Sequence, residues 1–112
     1  MNDRERRRHQ RVLLNCPGVI RFGQGPESNA HLSEISEGGI RCIFPQPVAL
    51  GTSVELRFTL PLAVQKECVA YGRVQHHHQE GQAYVLGVEF SRTAADVASA
   101  IRTYVQMRAN RS

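Results

Sequence analysis

Residues 54–60 have the sequence VELRFTL, in which apolar and polar side chains alternate. Alternation with a period of two residues is the pattern of a β-strand with one buried and one exposed face. Apolar content begins at residues 12–14, and further segments that we interpret as strands lie on both sides of residues 54–60, at residues 17–22, 29–35, 40–44, 67–75 and 83–90. Glycines, prolines and polar residues separate these segments. We therefore expect about six strands, forming a small antiparallel β-barrel.

Three details of this pattern concern local geometry. Leu32 and Glu34 occupy alternate positions of the second strand. Gly72 and Gly87 lie inside the last two strands, where a missing side chain typically marks a bend, a bulge or the close approach of another group. We predict that residues 76–81 form the turn of a hairpin between those two strands.

The periodicity changes near the C-terminus. Thr93 and Asp96 form a helix-start signature. Apolar residues then follow the 3.6-residue spacing of an amphipathic helix: Val97, Ile101, Tyr104 and Val105. The predicted fold is thus all-β with one C-terminal helix packed on the barrel.

The length of 112 residues leaves room for one small domain. We expect a single domain over residues 1–112, divided into a basic arm at 1–11, a barrel at 12–91 and a helix at 92–109.

Composition excludes several classes of protein. The longest apolar stretch, residues 58–64, is interrupted by polar and proline residues and is far shorter than the roughly 20 residues that cross a bilayer. The charged start has no apolar segment typical of a secretory signal, so we expect a cytoplasmic protein without membrane insertion. Cys16, Cys42 and Cys68 form no C-x-x-C pair and are expected to be reduced and partly buried.

The first eleven residues concentrate positive charge, although the formal net charge of the chain is only +4. Five arginines lie there: Arg4, Arg6, Arg7, Arg8 and Arg11. Such a cluster is consistent with a solvated tail, with an arm that binds nucleic acid, or with a pocket for a small phosphorylated ligand. Nucleic-acid binding is the least favoured, because no aromatic residues are interleaved for stacking.

Two short motifs favour the ligand pocket. Arg7 and Arg11 form R-x-x-x-R immediately before the first strand, and residues 34–39, EISEGG, form E-x-S-x-x-G between the second and third. With the strand and helix order and the closing residues 86–90, LGVEF, the chain resembles the PilZ domain family of bacterial cyclic di-GMP receptors. The resemblance implies a six-stranded antiparallel split barrel. Glu34 departs from the family pattern, which has Asp or Asn at this position.

The resemblance also implies a ligand site formed by the arginines and the turn motif. Guanidinium groups pair two donors with a phosphate or with a guanine edge, and a carboxylate accepts from guanine N1–H and N2–H. The implied cyclic di-GMP site comprises Arg6, Arg7, Arg8, Arg11, Glu34, Ser36, Gly38 and Gly39. Within the family, an arginine at the position of Arg6 goes with a stacked pair of ligand molecules. An arm of mutually repelling arginines is expected to be flexible without ligand and to order on binding.

Alternatives remain for individual residues. The Ser36 hydroxyl is equally suited to bonding its own turn backbone, and the turn needs Gly38 and Gly39 with or without ligand. The run His76-His77-His78 is predicted to be an exposed hairpin tip, so we expect no metal site. The three tyrosines, Tyr71, Tyr84 and Tyr104, are expected to be core or rim residues, and Tyr84 is the one that we select as a candidate for guanine stacking.

No enzyme constellation is present in the sequence, so we expect neither catalysis nor a cofactor. The predicted function is a cyclic di-GMP receptor that changes its surface on binding and regulates a protein partner in bacterial signalling. The alternative is a PilZ-like adaptor, of the kind found in type IV pilus systems, which does not bind cyclic di-GMP. Glu34 keeps that alternative open.

Overall fold

The computed structural model describes residues 10–61 and 65–110. These residues form six strands and one helix: β1 (Val12–Phe22), β2 (Glu27–Ile35), β3 (Gly39–Phe44), β4 (Ser53–Thr59), β5 (Glu67–Glu80), β6 (Ala83–Thr93) and α1 (Ala95–Asn110). All neighbouring strands are antiparallel, and the sheet closes into a barrel in the order β1-β2-β3-β6-β5-β4. The predicted six-stranded antiparallel barrel with a C-terminal helix is confirmed.

The barrel interior is filled by the apolar members of the alternating pattern. In β4, Val54, Leu56 and Phe58 are buried, whereas Arg57 is exposed. Alternation extends through the first seven residues of β1 and the first eight of β5, because successive side chains of a strand point to opposite faces. The three cysteines, predicted to be reduced and partly buried, are free thiols inside this core.

Register shifts interrupt three strand pairs. The β1–β2 pair shifts between Leu13 and Cys16, and the β2–β3 pair shifts between Leu32 and Glu34. The β5–β6 pair shifts twice, between Tyr71 and Gly72 and between Val74 and His76. In β2 the extra residue, Ser33, changes the face to which the following side chains point. Glu34 therefore does not share the inner face of Leu32, as simple alternation would require.

The β5–β6 hairpin is longer than predicted. We expected residues 76–81 to form its turn, but β5 continues to Glu80, which pairs with Ala83. Only Gly81 and Gln82 make the turn. Continuous pairing with β6 keeps the histidine run in strand conformation.

Helix α1 packs its apolar residues against the barrel, and the predicted set Val97, Ile101, Tyr104 and Val105 is buried. Its start differs from the predicted residue 92, since β6 runs to Thr93 and the helix begins at Ala95. Its described end is Asn110, one residue beyond the predicted 109. Over the described ranges, no helix has the length and apolarity needed to span a membrane.

Candidate functional site

A surface depression of about 230 Å³ lies beside the connection between β2 and β3. It brings together Arg11, which directly precedes β1, the turn between β2 and β3, and residues of β2, β3, β5 and β6. Its lining includes five of the eight residues of the predicted site: Arg11, Glu34, Ser36, Gly38 and Gly39. The other three, Arg6, Arg7 and Arg8, lie outside the described residues.

The turn from Ser36 to Gly39 is held by its own backbone and by the serine hydroxyl. The Ser36 amide donates to the Gly39 carbonyl at 2.9 Å. Ser36 Oγ accepts from the amides of Gly38 and Gly39 at 3.2 and 3.1 Å. Phe90 of β6 donates its amide to the Gly38 carbonyl at 2.9 Å, which joins the turn to the barrel. The hydroxyl of Ser36 thus has the turn-stabilising role, and the residue is 7% exposed.

Gly39 is required by the close approach of β6. A Cβ atom at this position would lie 2.3 Å from the carbonyl oxygen of Val88, a backbone atom. Because a backbone carbonyl cannot move aside as a side chain can, any larger residue would push β3 and β6 apart. The last glycine of the motif therefore fits the turn tightly against the barrel.

Glu34 is paired with an arginine that the sequence analysis did not select. Glu34 of β2 lies directly opposite Arg41 of β3, and Arg41 Nη1 is 3.3 Å from Glu34 Oε1. Both side chains are about one-third exposed. The pair fixes the direction of the carboxylate and leaves Oε2 without a hydrogen bond from any described residue. A free carboxylate oxygen at the edge of the depression can accept from N–H donors of a ligand.

Arg11 is the described arginine of the R-x-x-x-R motif. It is exposed, lines the depression and makes no hydrogen bond or ion pair with another described residue. Arg11 and Arg41 add two positive charges to the lining, and Glu34 and Glu89 add two negative charges, so the formal charges of the described lining cancel.

Gln75, His76, Gly87 and Glu89 also line the depression and were missed. The glycine inside a strand was a usable signal, because Gly72 and Gly87 both lie beside register shifts of the β5–β6 pair, as predicted. Simple alternation along β5 does not predict that the His76 side chain points toward the depression.

The histidine run is exposed, as predicted, but it lies in β5 and not in a turn. Across residues 10–61 and 65–110, no three His, Cys, Asp or Glu side chains are grouped so as to hold a metal ion. Tyr84, selected for guanine stacking, is not among the lining residues. It pairs with Phe44 and packs against the hydrophobic core instead.

Helix α1 is hydrogen-bonded to the Ser36–Gly39 turn and to β1. Arg102 Nε donates to Glu37 Oε1 at 3.2 Å, and Glu37 belongs to the Ser36–Gly39 turn. The buried Tyr104 donates its hydroxyl to the carbonyl of Leu13 at 2.9 Å, and Leu13 pairs with Glu34. The helix is therefore connected to the site at two points.

Comparisons with known proteins agree with this architecture. Solved structures with the same fold include the inhibitor of motility MotI/DgrA of Bacillus subtilis, with a TM-score of 0.76 and 20% identity, covering 95% of this chain and 53% of that one. The PilZ domain of YcgR from Escherichia coli with c-di-GMP has a TM-score of 0.73 and 12% identity, covering 95% of this chain and 93% of that one. PlzA of Borreliella burgdorferi in complex with c-di-GMP has a TM-score of 0.64 and 17% identity, covering 88% of this chain and 40% of that one.

The chain thus spans about half or less of the full length of two of these three chains. A search of curated proteins gave no match. The sequence profile of the PilZ domain matches residues 5–107, nearly the whole chain. The chain therefore belongs to the PilZ domain family.

Proposed function

We propose that this protein is a cyclic di-GMP receptor that regulates a protein partner in bacterial signalling. The observation that carries the proposal is the depression in which Arg11 meets Glu34 and the Ser36–Gly39 turn. These residues are separated in sequence by two strands and match the two motifs of the family. Related PilZ structures, those of YcgR and PlzA, contain c-di-GMP.

The chemistry of the lining suits guanine. Arg11 offers a fork of donors that fits the O6 and N7 acceptors of the base or a phosphate. Oε2 of Glu34, which receives no hydrogen bond from a described residue, is placed to accept from guanine N1–H or N2–H. Because Gly38 and Gly39 carry no side chains, a ligand can approach the backbone of the turn closely.

The phosphates require charge from the arm. The formal charges of the described lining cancel, so these residues together exert no net electrostatic attraction on a dianionic ligand. Further arginines, those of the N-terminal arm, would supply it. We assign Arg7 and Arg8 to the phosphates and Arg6 to a second, stacked ligand molecule.

Regulation of a partner would proceed through α1. PilZ domains are receptor and adaptor modules, and we assign this chain no catalytic step or cofactor. Ligand contacts at the turn would alter the position of Glu37 and hence its hydrogen bond to Arg102. A shift of the helix changes the surface that a partner protein meets.

The test is isothermal titration of the full chain with cyclic di-GMP at physiological salt, beside GMP. We expect saturable binding of cyclic di-GMP. Loss of a charged hydrogen bond in Arg11→Ala should weaken it roughly 10- to 100-fold. Arg73→Ala is the matched control, because Arg73 is exposed on β5 and does not line the depression. A folded wild-type chain that does not bind would overturn the proposal and favour the ligand-independent adaptor.

A further inference from the structure

We propose that His76 is a base-stacking residue of the candidate site and forms the platform on which one guanine lies. This inference rests on the proposed function and adds to it a contact residue outside the two sequence motifs. It also names the class of ligand group that the β5–β6 side of the depression takes, a planar purine base.

A bulge in β5 turns His76 toward the site. Val74 pairs with Val88 and points inward, whereas His76 pairs with Gly87, so Gln75 is an extra residue in the ladder. With regular alternation, His76 would share the inner face of Val74. The bulge instead places Gln75 and His76, two consecutive residues, in the lining of the same depression. Bulges beside binding sites commonly re-aim a side chain in this way.

The glycine opposite His76 makes room for the imidazole. A Cβ atom on Gly87 would lie 3.2 Å from Cδ2 and 3.6 Å from Cγ of His76. A side chain at position 87 would therefore press on the imidazole, and glycine leaves the ring close to the backbone of β6. An aromatic ring held against a strand backbone is a suitable floor for a planar base.

Residues paired across four neighbouring strands form a row that ends at His76. Glu34, Arg41, Gly87 and His76 are directly paired along one row across β2, β3, β6 and β5. Directly paired residues point to the same face, so this row faces the depression. The β3 and β5 backbones are two strand spacings apart, about 10 Å. A base stacked on His76 can thus direct its edge toward Arg41 and Glu34, the donor and acceptor at the other end of the row.

The experiment compares substitutions at His76 with the same substitutions at His78. His78 is exposed in the same strand and does not line the depression. In titrations of the full chain with cyclic di-GMP, His76→Ala should weaken binding roughly 5- to 150-fold, the range expected for one lost base–aromatic stack. His76→Phe should retain most of the affinity, since it keeps a ring, and His78→Ala should leave it unchanged.

A spectroscopic readout is available because the chain contains no tryptophan. His76→Trp introduces one indole, and stacking of guanine on it should quench its fluorescence on addition of cyclic di-GMP. His78→Trp should show no comparable quenching. Thermal melting of each variant shows whether the fold is retained.

The possible results separate this proposal from the receptor function. Binding by the wild-type chain that is lost in Arg11→Ala but unchanged in His76→Ala would overturn the role of His76 and leave the receptor function standing. Equal losses in His76→Ala and His76→Phe would overturn stacking, because they would indicate a hydrogen bond or charge. Absence of binding by the wild-type chain would overturn both proposals.

Discussion

Arg41 Nη1 lies 3.3 Å from Oε1 of Glu34, and the two residues are directly paired across β2 and β3. Glutamate is one methylene longer than the Asp or Asn of the family pattern, and its carboxylate lies within ion-pair distance of the arginine. The departure in the motif is thus accompanied by a partner that holds the longer side chain in one direction.

Removing the Glu34 carboxylate should affect binding more than stability. We expect Glu34→Ala to weaken cyclic di-GMP binding roughly 10- to 100-fold, as for a lost charged hydrogen bond. A partly exposed ion pair contributes about 1 kcal/mol or less to the free energy of unfolding. Glu27→Ala is the matched control, since Glu27 is in the same strand, is paired with Arg57 at 3.6 Å and lies away from the depression. Equal affinities of the two variants would contradict a ligand contact by Glu34.

Ser36→Ala should destabilise the fold in the absence of ligand. Its hydroxyl accepts from two amides, and each neutral hydrogen bond contributes about 0.5–1.5 kcal/mol. We expect the free energy of unfolding to fall by about 1–3 kcal/mol in urea denaturation. Ser99→Ala, on the exposed side of α1, should be close to neutral. A Ser36→Ala variant as stable as the wild type would show that the hydroxyl does not hold the turn.

Gly39→Ala should lower the free energy of unfolding more than the same substitution at a glycine with open space around it. The added Cβ would meet the Val88 carbonyl at 2.3 Å, so we expect a loss of about 3 kcal/mol, the upper end for overpacking. Gly81 at the hairpin tip has φ +62°, and a Cβ added there would have no atom within 4 Å. Gly81→Ala should therefore lose stability only through its left-handed backbone conformation, by about 1–2 kcal/mol. Thermal melting should rank the variants in that order, and the reverse ranking would contradict the close approach of β6.

The buried thiols should make the protein sensitive to alkali. Burial raises the pKa of Cys42 from 9.0 to about 12 and that of Cys68 to about 11. The folded state holds these protons more tightly than the unfolded state, so their stabilising effect is complete below pH 9 and is lost as pH rises toward these raised values. Within that window, each thiol lowers the free energy of unfolding by about 1.4 kcal/mol per pH unit.

Urea denaturation between pH 8 and 11 checks this effect. We expect Cys42→Ala to be less stable than the wild type near pH 8, because it leaves a cavity, but to lose stability less steeply at higher pH. Identical slopes for the two proteins would mean that Cys42 ionises equally readily in the folded and unfolded states.

The hydroxyl of Tyr104 should contribute to anchoring α1. Tyr104→Phe removes the donor to the Leu13 carbonyl, and we expect a loss of about 1 kcal/mol. Tyr71→Phe is the matched control, because Tyr71 is at the surface and the ring under Arg92 remains. Urea denaturation of both variants tests the difference. A Tyr104→Phe protein with unchanged stability would show that the carbonyl finds another donor.

The strands and the helix could be predicted because local patterns specify them. Alternation in residues 54–60 indicated β4, and the 3.6-residue spacing indicated α1, since both depend only on which face of an element is buried. The turn motif likewise identified the connection from Ser36 to Gly39. The predicted hairpin turn at residues 76–81 was wrong because strand pairing, a long-range property, continues through them.

Which residues line the depression depends on the pairing of strands that are distant in sequence. Sequence motifs selected Arg11, Glu34 and the Ser36–Gly39 turn, and the resemblance supplied the ligand. Tyr84, selected as the candidate for guanine stacking, lies at the start of β6 and packs against the hydrophobic core, because residue type alone does not show which end of a strand borders the depression.

The sequence by itself determined the number and order of the strands and the helix, the alternating pattern of burial along most of them and the position of the turn motif. Tertiary structure decided where the alternation breaks. The bulges in β2 and β5 turn Glu34 and His76 to the same outer face, with Arg41 and Gly87 between them. A bulge is a property of two paired strands, since it exists only where one strand has an extra residue relative to its partner. Closure of the barrel therefore selects the side chains that line the depression.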